Sequence, residues 1–211
     1  MIAIIDYRAG NLTSVERALH FLGEACQITD DPTIIATADR VIFPGVGAAG
    51  EAMRNLNRLG LSTVIHDVVA AGKPFLGICL GYQILFDSSE EDGGVECLGV
   101  FPGTVVRFAD DMTEADNPLP LKIPEMGWNG VTFVKPHPVT HGVPADAEFY
   151  FVHSYYPVPG DEGACALTTY GVDFASGVAA GSAIGFQFHP EKSGEPGLQL
   201  LRGFCAWNPN A

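Results

Sequence analysis

Lys73-Pro74-Phe75-Leu76-Gly77-Ile78-Cys79-Leu80-Gly81-Tyr82-Gln83 is the stretch that decides the fold. Phe75, Leu76 and Ile78 form a short apolar run bounded by Pro74, as expected of a buried strand. Beyond it, Leu80, Ile84, Leu85 and Phe86 recur at helical spacing, which predicts a helix opening at Cys79. A strand, Gly-x-Cys-x-Gly and then a helix is the cysteine counterpart of the serine nucleophile elbow. The flanking glycines allow a sharp turn, and the thiol then stands at the carboxyl edge of the sheet. Amides at a helix start favour a thiolate. The competing reading is a cysteine simply packed between strand and helix, and only partners elsewhere in the chain separate the two.

Those partners lie in Gly185-Phe186-Gln187-Phe188-His189-Pro190-Glu191-Lys192. Residues 184–188 read as a strand that delivers His189 at its end, with Pro190 stopping the ladder. An imidazole there can accept the thiol proton and later protonate a leaving amine. Glu191 can hold the ring in one tautomer. Nucleophile and base are far apart in sequence, as in sites assembled by folding.

The 211 residues suit one domain, 1–211, large enough to bury a core. A formal charge of −14 disfavours nucleic acid as a ligand, because phosphate would be repelled. Asp6 ends the apolar run of Met1–Ile5 too early for a signal peptide, and no stretch approaches the roughly 20 apolar residues of a membrane span. The cysteines at 26, 79, 97, 165 and 205 are odd in number and form no Cys-x-x-Cys pair, which points to reduced thiols and a cytoplasmic location.

Over the first ninety residues the chain alternates strand and helix. Strands are expected at Met1–Ile5, Ala25–Thr29 and Arg40–Phe43. Helices are expected after Thr13 as N-cap, near Glu51–Leu59 and over Thr63–Ala71. This alternation predicts an α/β fold with a mainly parallel central sheet flanked by helices. Asp87–Asp92 reads as a solvated helix end. From Leu98 onward, runs at 103–108, 130–134, 148–156, 164–169 and 175–179 predict antiparallel strands extending the same core, with a helix returning at Leu198–Trp207. Residues 109–120, acidic and proline-containing, are the expected mobile loop. His137 and His141 have metal-ligand spacing, but Pro136 and Pro138 argue against a helix there and no third ligand is near, so no metal is expected.

With Asp6-Tyr7-Arg8-Ala9-Gly10-Asn11-Leu12, Pro44-Gly45-Val46-Gly47-Ala48, Met126-Gly127-Trp128-Asn129, Tyr150-Phe151-Val152-His153-Ser154-Tyr155 and His189-Pro190-Glu191-Lys192-Ser193, the chain resembles the triad-type class I glutamine amidotransferases. Within them it resembles the glutaminase subunits of imidazole glycerol-phosphate synthases, from residue 2 to about residue 205. The resemblance implies glutamine as substrate, no cofactor, and ammonia passed to a separate (β/α)₈-barrel cyclase in a heterodimer. It implies Cys79, His189 and Glu191 as the triad, and an oxyanion hole from the Val46–Gly47 segment and the Leu80 amide. Gln83 and the main chain of His153, Ser154 and Tyr155 would hold the substrate, and Asn11, Trp128, Tyr150 and Lys192 would meet the partner. Two positions depart from the family pattern and are expected near the docking face: Arg8 in place of glycine, and Glu125 in place of histidine. The alternatives are a glutaminase serving another synthase, such as one amidating surface sugars, or a catalytically silent module on the same fold. The resemblance also implies that the isolated chain is a slow glutaminase, with the 44–47 turn as its switch.

Overall fold

Ile2 and Ile4 face one side of the sheet and Ala3 and Ile5 the other, all buried, so the first strand is covered on both faces. The computed structural model describes residues 1–8, 12–114, 117–160 and 163–209. Strand β1 (Ile2–Ile5) leads to helix α1 (Leu12–Phe21), then β2 (Cys26–Thr29), α2 (Pro32–Thr37) and β3 (Arg40–Gly45). Helices α3 (Ala49–Leu59) and α4 (Leu61–Ala70) precede β4 (Phe75–Cys79) and the single turn α5 (Leu80–Gln83). Next come β5 (Phe86–Ser89), β6 (Val95–Glu96), β7 (Phe101–Arg107), β8 (Thr113–Glu114), β9 (Asn117–Pro120), β10 (Glu125–Gly130) and β11 (Thr132–Phe133). The chain ends with β12 (Glu148–His153), β13 (Tyr155–Pro159), β14 (Ala164–Tyr170), β15 (Val172–Ala180), β16 (Ala183–Phe186) and α6 (Gly194–Ala206).

The main sheet has the order β11-β14-β15-β16-β4-β3-β1-β2. From β2 to β16 its neighbours run parallel, and beyond β16 the pairs are antiparallel. Residues of α2, α3 and α4 pack on the face carrying Ala3, Ile5 and Phe43. Those of α1 and α6 pack on the face carrying Ile4, Ile42 and Ile78. The α/β expectation with antiparallel additions therefore holds. A second sheet, β13-β7-β5-β6, and the β10-β12 pair stand beside the carboxyl ends of the parallel strands. Among the described residues no helix is long and apolar enough to cross a membrane.

Several sequence expectations are corrected. The helix after Cys79 stops at Gln83, and Phe86 enters a strand. Ile84, Leu85 and Phe86 are all fully buried, and their carbonyls accept from the amides of residues 98–101, leaving nothing for helix propagation. Thr13 lies inside α1 and does not cap it. Asp87–Asp92 is no helix end: it spans β5 and a 3₁₀ turn at Glu91–Gly93. Glu91 Oε2 accepts from Ala49 N at 2.8 Å and Asp92 Oδ2 from Gly50 N at 3.2 Å, so two carboxylates satisfy the orphan amides opening α3. The run 148–156 divides at Ser154 into β12 and β13, and Met126–Asn129 lies in β10, which strand propensity did not indicate. Within 109–120 the described residues include the paired strands β8 and β9. His137 serves as a cap, its Nδ1 accepting from Val139 N at 3.2 Å.

Candidate active site

Three adjacent strands converge at one end of the sheet. Gly45 of β3 is in register with Cys79 of β4, and Phe186 of β16 with Ile78. Val46, Cys79 and Gln187 therefore emerge side by side at the carboxyl edge, where open parallel sheets place their sites. Cys79 adopts φ 55° and ψ −114°, a left-handed conformation rare for a residue with a side chain. The close packing after it tolerates only glycine at position 81, where a Cβ would stand 1.9 Å from the Phe43 carbonyl oxygen. Such local strain, held by its surroundings, is what an exposed nucleophile on a tight turn requires.

His189 follows Gln187 and Phe188, all three buried. Its amide donates to the Tyr150 carbonyl at 2.9 Å. Ser193 completes the clamp, its hydroxyl accepting from Tyr150 N at 3.0 Å and donating to the His189 carbonyl at 2.6 Å. The ring Nδ1 lies 2.8 Å from Glu191 Oε1, with both side chains 3% exposed. Among the described residues no protein group hydrogen-bonds Nε2 with full geometry, which leaves that nitrogen for a proton in transit. Burial opposes a charged ring here. A thiolate charge on Cys79, then the Glu191 carboxylate, outweigh it and push the His189 imidazole up to about 10. The other cysteines are pushed up by burial, Cys97 to about 11 and Cys165 and Cys205 to about 12.

The thiol opens on a cavity of ≈ 340 Å³. Its lining includes Val46, Gly47, Leu80, Gln83 and Glu91, with Val152–Tyr155 of the β12–β13 region. Gln83 donates its amide to the Tyr155 carbonyl at 2.7 Å and to Gln187 Oε1 at 3.0 Å. Gln187 in turn directs its own amide at Cys79 Sγ, 3.8 Å away. A buried row of carboxamides thus ties the cavity wall to the nucleophile. The Val46 amide donates to the Tyr7 hydroxyl at 3.2 Å. Sequence reading did not single out Gln187, Ser193, Tyr7 or Glu91. Gln187 is legible afterwards from register, since it stands level with Cys79 one strand away.

Behind the wall, His153 lies buried with Nδ1 2.8 Å from the Tyr155 carbonyl and Nε2 2.9 Å from Glu125 Oε2. A carbonyl only accepts, so Nδ1 is the donor of that bond. Glu125 also accepts from Asn129 Nδ2 at 2.8 Å. Glu125, expected near the docking face, has a side chain only 4% exposed. Arg8 is exposed and pairs with Asp30. Trp128 is 56% exposed beside Met126, and it sits directly opposite Tyr150 in the β10–β12 register, ring centroids 6.2 Å apart. Lys192 holds its Nζ 5.7 Å over the Tyr150 ring. Asn11 lies outside the described residues. Among the described residues no group of three or more His, Cys, Asp or Glu side chains is placed to hold a metal.

The profile of the family glutamine amidotransferase class-I matches residues 3–206, and the chain belongs to that family. Solved structures share its fold: PurLQS from Thermotoga maritima superposes with a TM-score of 0.73 at 18% identity, covering 97% of this chain and 96% of that one. A structure described as glutamine amidotransferase gives 0.72 at 18% identity, covering 98% of this chain and 100% of that one. Within the class, full-length relatives include proteins named imidazole glycerol phosphate synthase subunit HisH. The protein of that name from Nitratidesulfovibrio vulgaris (strain Miyazaki F) is 51% identical, the match covering 98% of this chain and 97% of that protein. Its counterpart from Pseudomonas syringae pv. syringae is 47% identical, again over 98% and 97%.

Proposed function

We propose that the chain acts as one cytoplasmic amidotransferase domain that hydrolyses glutamine and delivers the ammonia to a barrel cyclase making imidazole glycerol phosphate for histidine. One observation carries this reading: Cys79 lines the cavity, and the buried His189–Glu191 pair, from a distant part of the chain, lies close enough for the Cys79 charge to act on the imidazole. The relatives' shared name supports the choice of cyclase as recipient.

The Cys79 thiolate attacks the side-chain carbonyl carbon of glutamine, and the oxyanion forms beside the Leu80 amide and the Val46–Gly47 segment. Imidazolium at His189 gives its Nε2 proton to the departing nitrogen, so ammonia leaves and a thioester remains. Water then attacks the thioester as His189 takes its proton, and collapse expels the thiolate and frees glutamate. Glu191 holds the ring throughout. Gln83 and the main chain at 153–155 position the substrate, and the Glu91 carboxylate on the cavity wall offers a counter-charge to its ammonium group. Trp128, Tyr150 and Lys192 form the face toward the cyclase. The test is Cys79→Ala in complex with the cyclase. Product formation from glutamine should vanish while that from added ammonium salt persists. Glutamine-dependent turnover at the wild-type rate would remove Cys79 from its role.

A further inference from the structure

We propose that Gln187 takes part in the reaction itself: its side-chain amide donates to the Cys79 sulfur and stabilises the thiolate that attacks glutamine and is expelled again on hydrolysis. The proposal rests on the hydrolytic reading above and adds a group that touches the reacting atom. Gln187 follows Phe186, the residue paired with Ile78, so it stands level with Cys79 on the adjacent strand. It is fully buried, and its Nε2 lies 3.8 Å from Cys79 Sγ, within reach of an N–H to sulfur hydrogen bond.

The direction of that bond is set at the far end of the carboxamide row. The Tyr155 carbonyl can only accept, and it takes His153 Nδ1 at 2.8 Å and Gln83 Nε2 at 2.7 Å. Gln83 therefore presents nitrogen, not oxygen, to this wall. The second hydrogen of the same nitrogen goes to Gln187 Oε1 at 3.0 Å. With its oxygen engaged there, Gln187 turns its NH2 group on the sulfur. Turning the carboxamide over would set nitrogen against the Gln83 amide and oxygen against the thiolate, two costly contacts in a buried site. The backbone is held as well. The Gln187 amide donates to the Ser176 carbonyl at 2.9 Å, and Phe186 and Phe188 on either side stack with ring centroids 5.0 Å apart.

The donor has an opponent. The Val152 carbonyl lies 3.9 Å from Sγ and accepts from the thiol, so it favours the protonated form. Among the titratable neighbours, His189 favours the thiolate, and Glu191 acts through the ring it holds. The buried Tyr7 phenol stays neutral, and the Glu91 carboxylate on the cavity lining opposes a second negative charge. Gln187 is uncharged, so its contribution persists at every working pH. When the thioester intermediate collapses, the C–S bond breaks and its electron pair returns to sulfur, while His189 holds the proton taken from water. Imidazolium and the Gln187 N–H then both face the new negative charge, and no proton passes from Gln187.

Gln187→Met keeps the length and burial of the side chain but removes the donor. In the full chain, the pH midpoint of Cys79 labelling by iodoacetamide should rise by about one unit. With the cyclase and its nucleotide ligand, kcat for glutamine should fall about tenfold, because the expelled thiolate has lost a donor, and KM should hold within about twofold. A residue that merely supports the fold would not move the labelling midpoint. A raised KM with an unmoved midpoint would mean that Gln187 serves only to hold Gln83, and overturns the proposal while leaving the triad chemistry standing. No glutamate release from the wild type with cyclase and nucleotide overturns the hydrolytic reading and the proposal with it. Side-chain amide NMR of the wild-type chain, labelled with nitrogen-15, provides a check that needs no folded Met variant. The Gln187 amide protons should move downfield as Cys79 ionises, and the movement should be absent in Cys79→Ser. Signals that ignore the ionisation overturn the proposal.

Discussion

At His189 two opposing influences meet, and their balance has a measurable sign. Burial disfavours the imidazolium, while a thiolate at Cys79 and the Glu191 carboxylate favour it more strongly, placing the ring at about 10. A folded value above the unfolded value of about 6.5 stabilises the protein while the ring is protonated. That contribution is complete below about 6.5 and disappears as pH rises through about 10. Melting temperatures between pH 7 and 11 should therefore fall more steeply for the wild type than for Cys79→Ala, which lacks the charge that raises the ring most. Parallel curves for the two proteins would show that thiolate and imidazole do not form an ion pair. The same residue shows how far the sequence reaches. Histidine followed two positions later by a glutamate predicts the carboxylate on Nδ1, and that contact is present. Nothing local predicts Ser193, because its value lies in bridging Tyr150 and His189, two groups 39 residues apart in the chain.

At the level of elements, the turn after β16 is fixed by that serine as much as by Pro190. Ser193→Ala would leave the Tyr150 amide without its acceptor and the His189 carbonyl with the Lys192 amide as its remaining donor, costing about 1–3 kcal/mol in chemical denaturation. Turnover should suffer beyond what stability explains, with kcat/KM down about tenfold or more, because the imidazole loses its fixed position over the thiol. A variant destabilised to that extent but fully active would show that the clamp serves folding alone. The parallel half of the sheet was legible because short continuous apolar runs and β–α alternation are local signals, as in Ile2–Ile5. The helix after Cys79 was misread because Ile84, Leu85 and Phe86 satisfy a helical pattern and a buried strand entry equally well. Their carbonyls are claimed by residues 98–101, a tertiary choice that no window around position 84 contains. The buried partner of Glu125 was not legible for a related reason: only the register Glu125↔His153 reveals it.

Over the whole molecule, catalytic cavity and aromatic face are joined by one strand. β12 carries Tyr150 on its outer part and ends at His153 on the cavity wall. Trp128, exposed and braced by Tyr150, is the kind of aromatic anchor that dominates an interface. Trp128→Ala should weaken binding to the cyclase by about 2 kcal/mol, roughly thirtyfold, by titration calorimetry, while the variant alone keeps its glutamine hydrolysis unchanged. Unaltered affinity would place the docking face elsewhere. The strand order has one more consequence, which concerns synthesis on the ribosome. β16 is contributed late in the chain yet lies in the middle of the sheet, between β15 and β4. A nascent chain that has emerged only as far as residue 180 therefore leaves the strand bearing Cys79 as an unpaired edge, with neither base nor orienting carboxylate beside it. Such an intermediate has no assembled triad with which to hydrolyse glutamine, and its bare central edge is the surface most in need of a chaperone until β16 emerges.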